Sequence, residues 1–203
     1  MVGQFITLEG IDGAGKSTHA EFIAQRLRSR GRTVVQTREP GGTVVGEKIR
    51  SLVLSEAMDV HAETLLVFAA RSQHLADVVR PALATGSTVL CDRFTDATFA
   101  YQCGGRGVSE HYVETLARLS HGDLSPDLTL LFDADASTAH ARVVARSATD
   151  RFEREDLCFF ERVRARYLEQ ARREPARFCV LDAGRPIEDV QAAIARALDE
   201  RIG

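Results

Sequence analysis

The sequence predicts an α/β protein in three layers, a five-stranded parallel sheet with helices on both faces and a short lid. Two observations predict it. Short apolar runs alternate with longer stretches of helical periodicity, the pattern of strand–helix–strand crossovers. Glycine-rich and charged loops follow the apolar runs, where the strand C-termini of such a sheet hold their ligands.

The first strand, 5–9, runs into Gly10-Ile11-Asp12-Gly13-Ala14-Gly15-Lys16-Ser17, a full match to G-x-x-x-x-G-K-S/T. Glycines let backbone N–H groups close around a phosphate chain, and the helix behind adds positive potential. Lys16 can reach the outer phosphates, and the Ser17 hydroxyl suits the Mg²⁺ that travels with ATP or GTP. This is a P-loop in its proper strand–loop–helix setting. A helix over 16–30 follows, with Ala20, Ile23, Ala24 and Leu27 on one face and Gly31 at its end.

A second strand at 33–37 leads to Arg38-Glu39-Pro40-Gly41-Gly42 and a helix over 44–55. A long helix over 61–84 stops at Gly86, and a third strand at 88–91 ends in Asp92-Arg93. A helix over 109–121 precedes the fourth strand, 128–132, which ends in Asp133. Helices over 137–147 and 156–173, a fifth strand at 178–181 and a helix over 186–201 opened by Pro186 complete the chain. Phe159, Phe160 and Tyr167 share a helical face and read as core, whereas Arg162, Arg164, Arg166, Arg172 and Arg173 read as a solvated face. His74, one turn past Arg71, reads as a satisfied or exposed histidine and not as a base.

A chain of 203 residues suits one domain, 1–203, whose core needs no staples. Net charge is −3, so no basic field argues for nucleic acid. The four cysteines match neither a disulfide framework nor a zinc spacing and read as reduced thiols. Glu9 and Asp12 interrupt the first apolar run, against a signal peptide, and no stretch reaches the length of a membrane span. A cytoplasmic protein is expected.

Three features choose among nucleotide-binding classes. A GTPase reads guanine through N-K-x-D, and the chain has no asparagine. Arg93, at the end of a central strand, aims into the same crevice as Lys16, where it can bridge two phosphate groups; a surface ion pair is the bland alternative. The stretch 142–154 sets Arg142, Arg146, Arg151 and Arg154 beside Asp150 and Glu153 with little apolar content. It is a solvated face or a mobile lid that closes arginines over a triphosphate, and its charge pattern favours the lid, about 142–155. Two roles stay open for Asp133: organising a metal, or capping the helix that begins near Ser137. A kinase acting on a nucleoside monophosphate fits these features, with a nucleotide-dependent switch as the rival from another class.

Taken together, Glu9 to Ser17, Arg38-Glu-Pro-Gly-Gly-Thr43, Phe68-Ala-Ala-Arg71, Asp92-Arg-Phe94, Ala100-Tyr-Gln-Cys-Gly-Gly-Arg-Gly107 and Asp150-Arg-Phe-Glu153 resemble bacterial thymidylate kinases. Asp182-Ala-Gly184 resembles that family's adenine-facing loop. The resemblance implies ATP + dTMP → ADP + dTDP, with Mg²⁺, on the route to dTTP, usually by a homodimer. It implies that ATP sits on Gly10, Ile11, Asp12, Gly13, Ala14, Gly15, Lys16, Ser17 and Thr18, with Arg142 and Asp182 also contributing. Asp12, Lys16, Arg93, Arg146 and Arg151 are the implied catalytic set, with the last two supplied by the lid. Arg38, Pro40 and Arg50 would hold the acceptor side. Arg71 would bond the thymine edge, Thr98 and Gln102 would line the base pocket, and Tyr101 would crowd the sugar 2′ position. Ser17 is the expected metal ligand, with Asp12 and Glu153 nearby. The sequence departs from the family at three positions: Gly13 replaces an arginine of some members, Cys103 a common glycine, and Val67 the base-stacking aromatic, a role that passes to Phe68.

Overall fold

The protein is described here from a computed structural model covering residues 3–145, 150–153 and 155–202. Five parallel strands stand in the order β2-β3-β1-β4-β5: β1 Gln4–Glu9, β2 Val34–Arg38, β3 Thr88–Asp92, β4 Leu128–Asp133 and β5 Phe178–Asp182. Each lies within a residue of its predicted span. The helices are α1 Lys16–Ser29, α2 Val44–Ser55, α3 Val60–His74, α4 Arg80–Ala84, α5 Thr95–Thr98, α6 Glu110–His121, α7 Ala136–Val144, α8 Leu157–Arg173 and α9 Ile187–Arg201.

Both faces of the sheet are buried, as a parallel sheet requires. On one side Ile6, Leu8 and Leu90 join the main core with Ile23 and Leu27 of α1. On the other, Phe5, Val89 and Cys91 pack against Leu75, Val79 and Phe94. Residues alternate between faces along each strand, so one short run feeds two layers. β1 is central, with β3 and β2 on one side and β4 and β5 on the other, so the chain fills one half of the sheet and then crosses β1 to fill the other. This topological switch opens a crevice beyond the C-terminal end of β1. Arg93 N–H bonds Leu8 O at 3.0 Å and Glu39 N–H bonds Asp92 O at 2.9 Å, so three strand ends converge there.

Three expectations need correction. The single helix expected over 61–84 contains a π-helical turn, Leu75–Val79, between α3 and α4. Pro81 lacks an N–H and its ring crowds the carbonyl one turn back, which breaks the regular ladder there. A helical segment that the sequence reading left as loop follows β3: α5, continued by a π-helical stretch, Phe99–Gly105. Its Ala100, Tyr101 and Gln102 are buried, so tertiary packing overrides the weak local signal of its paired glycines. Arg166 is 8 % exposed and ion-paired to Glu110 and Glu169, not part of a solvated face. Among the described residues, no helix is long and apolar enough to cross a membrane.

Candidate active site

Two cavities meet in the crevice. The first, about 710 Å³ with its open mouth, is lined by Asp12, Gly13, Gly15, Lys16, Ser17, Arg38, Arg50, Asp92, Arg93 and Glu153, among others. The phosphate loop is shaped by glycine at two tight places. A Cβ on Gly10 would lie 2.4 Å from Phe132 O, and one on Gly13 would lie 2.2 Å from Ala139 O. Both residues also have positive φ, 137° and 81°. Gly13 therefore cannot be exchanged for arginine without moving α7.

Lys16 is buried, its Nζ resting on Gly10 O at 2.9 Å and Ile11 O at 3.1 Å. Burial, with Arg93 close by, lowers its pKa, against the pull of Asp92, Asp12 and Glu9. Asp12 shows the opposite balance. Burial alone would raise its carboxyl, but Arg93, Lys16 and hydrogen bonds from Tyr101 and Arg93 bring it down to about 2. Arg93 Nη2 donates to Asp12 Oδ1 at 2.7 Å and to the Tyr101 hydroxyl at 2.9 Å, while Tyr101 donates to Asp12 Oδ2 at 2.7 Å.

The second cavity, about 590 Å³ with its open mouth, is lined by Pro40, Val67, Arg71, Phe94, Thr98, Tyr101, Gln102 and Phe152, among others. It shares Asp12, Glu39, Arg50, Arg93 and Asp150 with the first. Arg71 stands in its wall at 1 % exposure, held by Glu39 Oε2 at 2.7 Å and donating to Thr98 Oγ1 at 3.0 Å. Its Nη1 is buried with no partner in the protein. A buried guanidinium N–H left unpaired is costly, so this nitrogen is an available donor for a ligand acceptor. Glu39 Oε1 also meets His74 Nδ1 at 2.8 Å, and His74 Nε2 meets Thr37 Oγ1 at 2.6 Å. His74 is thus the satisfied histidine that its position suggested.

The residues expected from sequence divide into several groups. Asp12, Lys16, Ser17, Arg38, Arg50, Arg93 and Glu153 gather in the first cavity. Pro40, Arg71, Thr98, Tyr101 and Gln102 line the second. Ser17 and Thr18 are exposed at the first turn of α1. Arg142 reaches the loop, donating from Nη1 to Gly13 O at 3.3 Å. Asp182 ends β5 and accepts Gly184 N–H at 3.0 Å, outside both cavities.

Phe68 is a correction: its ring packs with Val108, Val113 and Ala117, and the Arg71 guanidinium lies 4.7 Å over it. Val67 and Arg71 share a face of α3 four residues apart, so the cavity wall takes Val67 and turns Phe68 away. Arg151 is another. It donates to Glu63 and, at 3.2 Å, to Val53 O, because Glu63 is 1 % exposed and needs a cation. It therefore faces α3 and not the phosphate loop. Arg146 and Arg154 lie outside the described residues. Asp133 is bound by Arg164 at 2.6 and 2.9 Å, and the cap of α7 is Asp135 instead.

Some site residues escaped the sequence reading. Asp92 lines the first cavity and its Oδ1 is buried without a partner. Glu39 holds Arg71, Glu63 takes Gln102 Nε2 at 2.8 Å, and Glu9 lies at the end of β1. The available signal was an acid at the end of an otherwise apolar strand or inside a helix face that must be buried. Such acids are rarely buried without a partner.

Residues 8–194 match the family model described as thymidylate kinase. The chain is 54 % identical over 203 residues to a thymidylate kinase of Pseudomonas savastanoi pv. phaseolicola, covering 98 % of this chain and 97 % of that one. It is 58 % identical over 193 residues to one of Pseudomonas putida, covering 94 % and 93 %. The crystal structure of thymidylate kinase from Ehrlichia chaffeensis superposes with a TM-score of 0.79 at 32 % identity, covering 98 % of this chain and 99 % of that one.

Proposed function

Because the chain belongs to the thymidylate kinase family, an ATP-dependent phosphorylation of dTMP to dTDP on the route to dTTP, we propose that its two joined cavities are donor and acceptor sites. One observation carries this division. A cavity with a phosphate loop and a cavity with an unpaired buried donor share Arg93 and Asp12 as a common wall.

ATP phosphates lie along the loop, where Lys16 leaves the Gly10 and Ile11 carbonyls for the outer phosphate oxygens. The dTMP phosphate enters between Arg50 and Arg93. Arg93 then faces both phosphate groups and stabilises the charge that spreads over the transferring one. A phosphate oxygen is already a nucleophile, so no general base is required. The thymine ring meets Arg71 Nη1 through a carbonyl, and the Tyr101 ring crowds the sugar. Rate comes from alignment and charge neutralisation without a covalent intermediate.

The donor set also suits Mg²⁺. The exposed Ser17 hydroxyl, the unpartnered Asp92 oxygen, Asp12 and Glu153 border one cavity, all hard oxygen ligands of the kind this ion takes. The ion would neutralise charge between ATP oxygens. Arg142, beside Gly13, is the described lid arginine placed to serve ATP. The assembly is a cytoplasmic homodimer, with Val44, Val45, Leu52, Leu65 and Leu119 as the large exposed apolar residues of α2, α3 and α6 available for its interface.

An acceptor screen with γ-labelled ATP tests this reading. Label should move to dTDP when dTMP is supplied; release of inorganic phosphate alone, whatever the acceptor, would contradict it.

A further inference from the structure

Glu9 is the last residue of β1, 0 % exposed, and lines neither nucleotide cavity. Burying a carboxyl at the end of a central strand costs free energy that an apolar residue there would avoid. Its two oxygens are both engaged, and both lead to Arg93. Oε1 accepts the N–H of Phe94 at 2.7 Å. Oε2 accepts the hydroxyl of Tyr167 at 2.7 Å, and Tyr167 in turn accepts from Arg93 Nη1 at 3.1 Å. Tyr167, on α8, is likewise 0 % exposed and lines neither cavity.

Arg93 needs holding at two places. Among the described residues it is the only non-glycine with positive φ, 74°. Such a backbone is strained for a residue with a Cβ and persists only where neighbours fix it. The N–H that Glu9 takes is the next one along the chain, so it locks that turn. At the other end, Asp12 and Tyr101 both bind the same nitrogen, Nη2. The guanidinium also lies 4.6 Å over the Tyr101 ring, but a ring face has no directional anchor, so the group can still turn about Nη2. The Tyr167 contact at Nη1 is the second point that fixes its plane.

We propose that Glu9 and Tyr167 are positioning residues for phosphoryl transfer, one carboxyl and one phenol that together set the backbone turn and the guanidinium plane of Arg93. The inference rests on the reading of Arg93 as the group that faces both phosphates. Tyr167 acts on the rate and not on nucleotide affinity, because it touches neither nucleotide.

The test is a double-mutant cycle of Tyr167→Phe with Arg93→Ala, reading kcat and both KM values, with folding checked by circular dichroism. Tyr167→Phe alone should lower kcat about 10- to 100-fold, as small misalignments of a reacting group do, with KM for ATP and dTMP within about 3-fold. In the Arg93→Ala background the same change should alter the residual kcat less than about 2-fold, since the group it positions is gone. Equal losses in both backgrounds would overturn the proposal and make Tyr167 a structural residue. An unchanged kcat in Tyr167→Phe would overturn it while leaving the Arg93 reading intact. Wild-type kcat in Arg93→Ala would remove that reading itself. Glu9→Gln supplies a second variant that keeps an acceptor for the Phe94 N–H; its kcat should fall in the wild-type background and stay level in Arg93→Ala, and the opposite pattern counts against the proposal.

Discussion

Glu39 and Arg71 form an ion pair at 2.7 Å with both side chains almost wholly buried, 2 % and 1 % exposed. The pair joins the end of β2 to α3 across the wall of the acceptor cavity. Removing two charges from water is repaid only when geometry and further hydrogen bonds are good. Here Thr98, His74 and the face of Phe68 complete the set, and the Arg71 nitrogen left over is the one offered to the base.

Glu39→Ala should destabilise the fold by about 3–5 kcal/mol, because it strands a buried guanidinium. Urea unfolding measures this. Glu39→Gln keeps the shape and an acceptor, so it should cost less stability and raise the KM for dTMP. A loss below about 1 kcal/mol in Glu39→Ala would mean that Arg71 finds another partner.

Lys16→Ala should leave circular dichroism unchanged and lower kcat by about 10² or more, since its charge is aimed at oxygens that gain charge in the transition state. Near-normal turnover by a folded variant would remove the phosphate loop from the donor site.

The five strand spans and the residues of the phosphate loop were legible because apolar runs and glycine spacing are local properties; the order of the strands in the sheet was not. The meeting of Lys16 and Arg93 beyond the strand ends followed from those properties, whereas the place of Arg71 came only from the family resemblance. What the chain hides are long-range pairings. Arg151 is 88 positions from Glu63 and nothing local joins them, so its pattern read as a lid arginine over phosphate. Phe68 was misplaced because an aromatic near the expected position outweighed the rotation of about 100° per residue around a helix. The helical segment after β3 needed the burial of Tyr101 and Gln102 to form, and burial is not written in the glycines that follow.

Glu9 predicts a pH dependence of stability. Burial first, then Asp96, raises its pKa from 4.5 to about 8, against Arg93 and the hydrogen bonds from Tyr167 and Phe94. Its charge is also felt by Lys16, Cys91 and Tyr167. The folded state holds the proton more tightly than the unfolded one. The stabilisation is therefore complete below about pH 4.5 and is lost as pH rises through about 8. The difference in urea-unfolding free energy between the native protein and Glu9→Gln should accordingly shift against the native protein from pH 5 to 8. Parallel curves would show that Glu9 titrates alike in both states.

Gly13→Ala should lower stability by more than the roughly 1–2 kcal/mol of a left-handed alanine, because its Cβ would also lie 2.2 Å from Ala139 O. Thermal unfolding and the KM for ATP should both worsen. An unchanged Tm would mean that α7 gives way without cost.

The acceptor cavity is a thymine pocket in this reading, and kcat/KM for dTMP, dUMP, dCMP and UMP with ATP measures this most directly. Arg71 offers a donor, which suits the carbonyl of thymine and opposes the amino group of cytosine; dCMP should therefore be poorer by about 100-fold or more. dUMP lacks only a methyl group, a difference of about 1–3 kcal/mol, and should remain a weak but measurable acceptor. UMP should be rejected by the Tyr101 ring beside the sugar. A kcat/KM for dCMP or UMP equal to that for dTMP would contradict the pocket and the role of Arg71 with it.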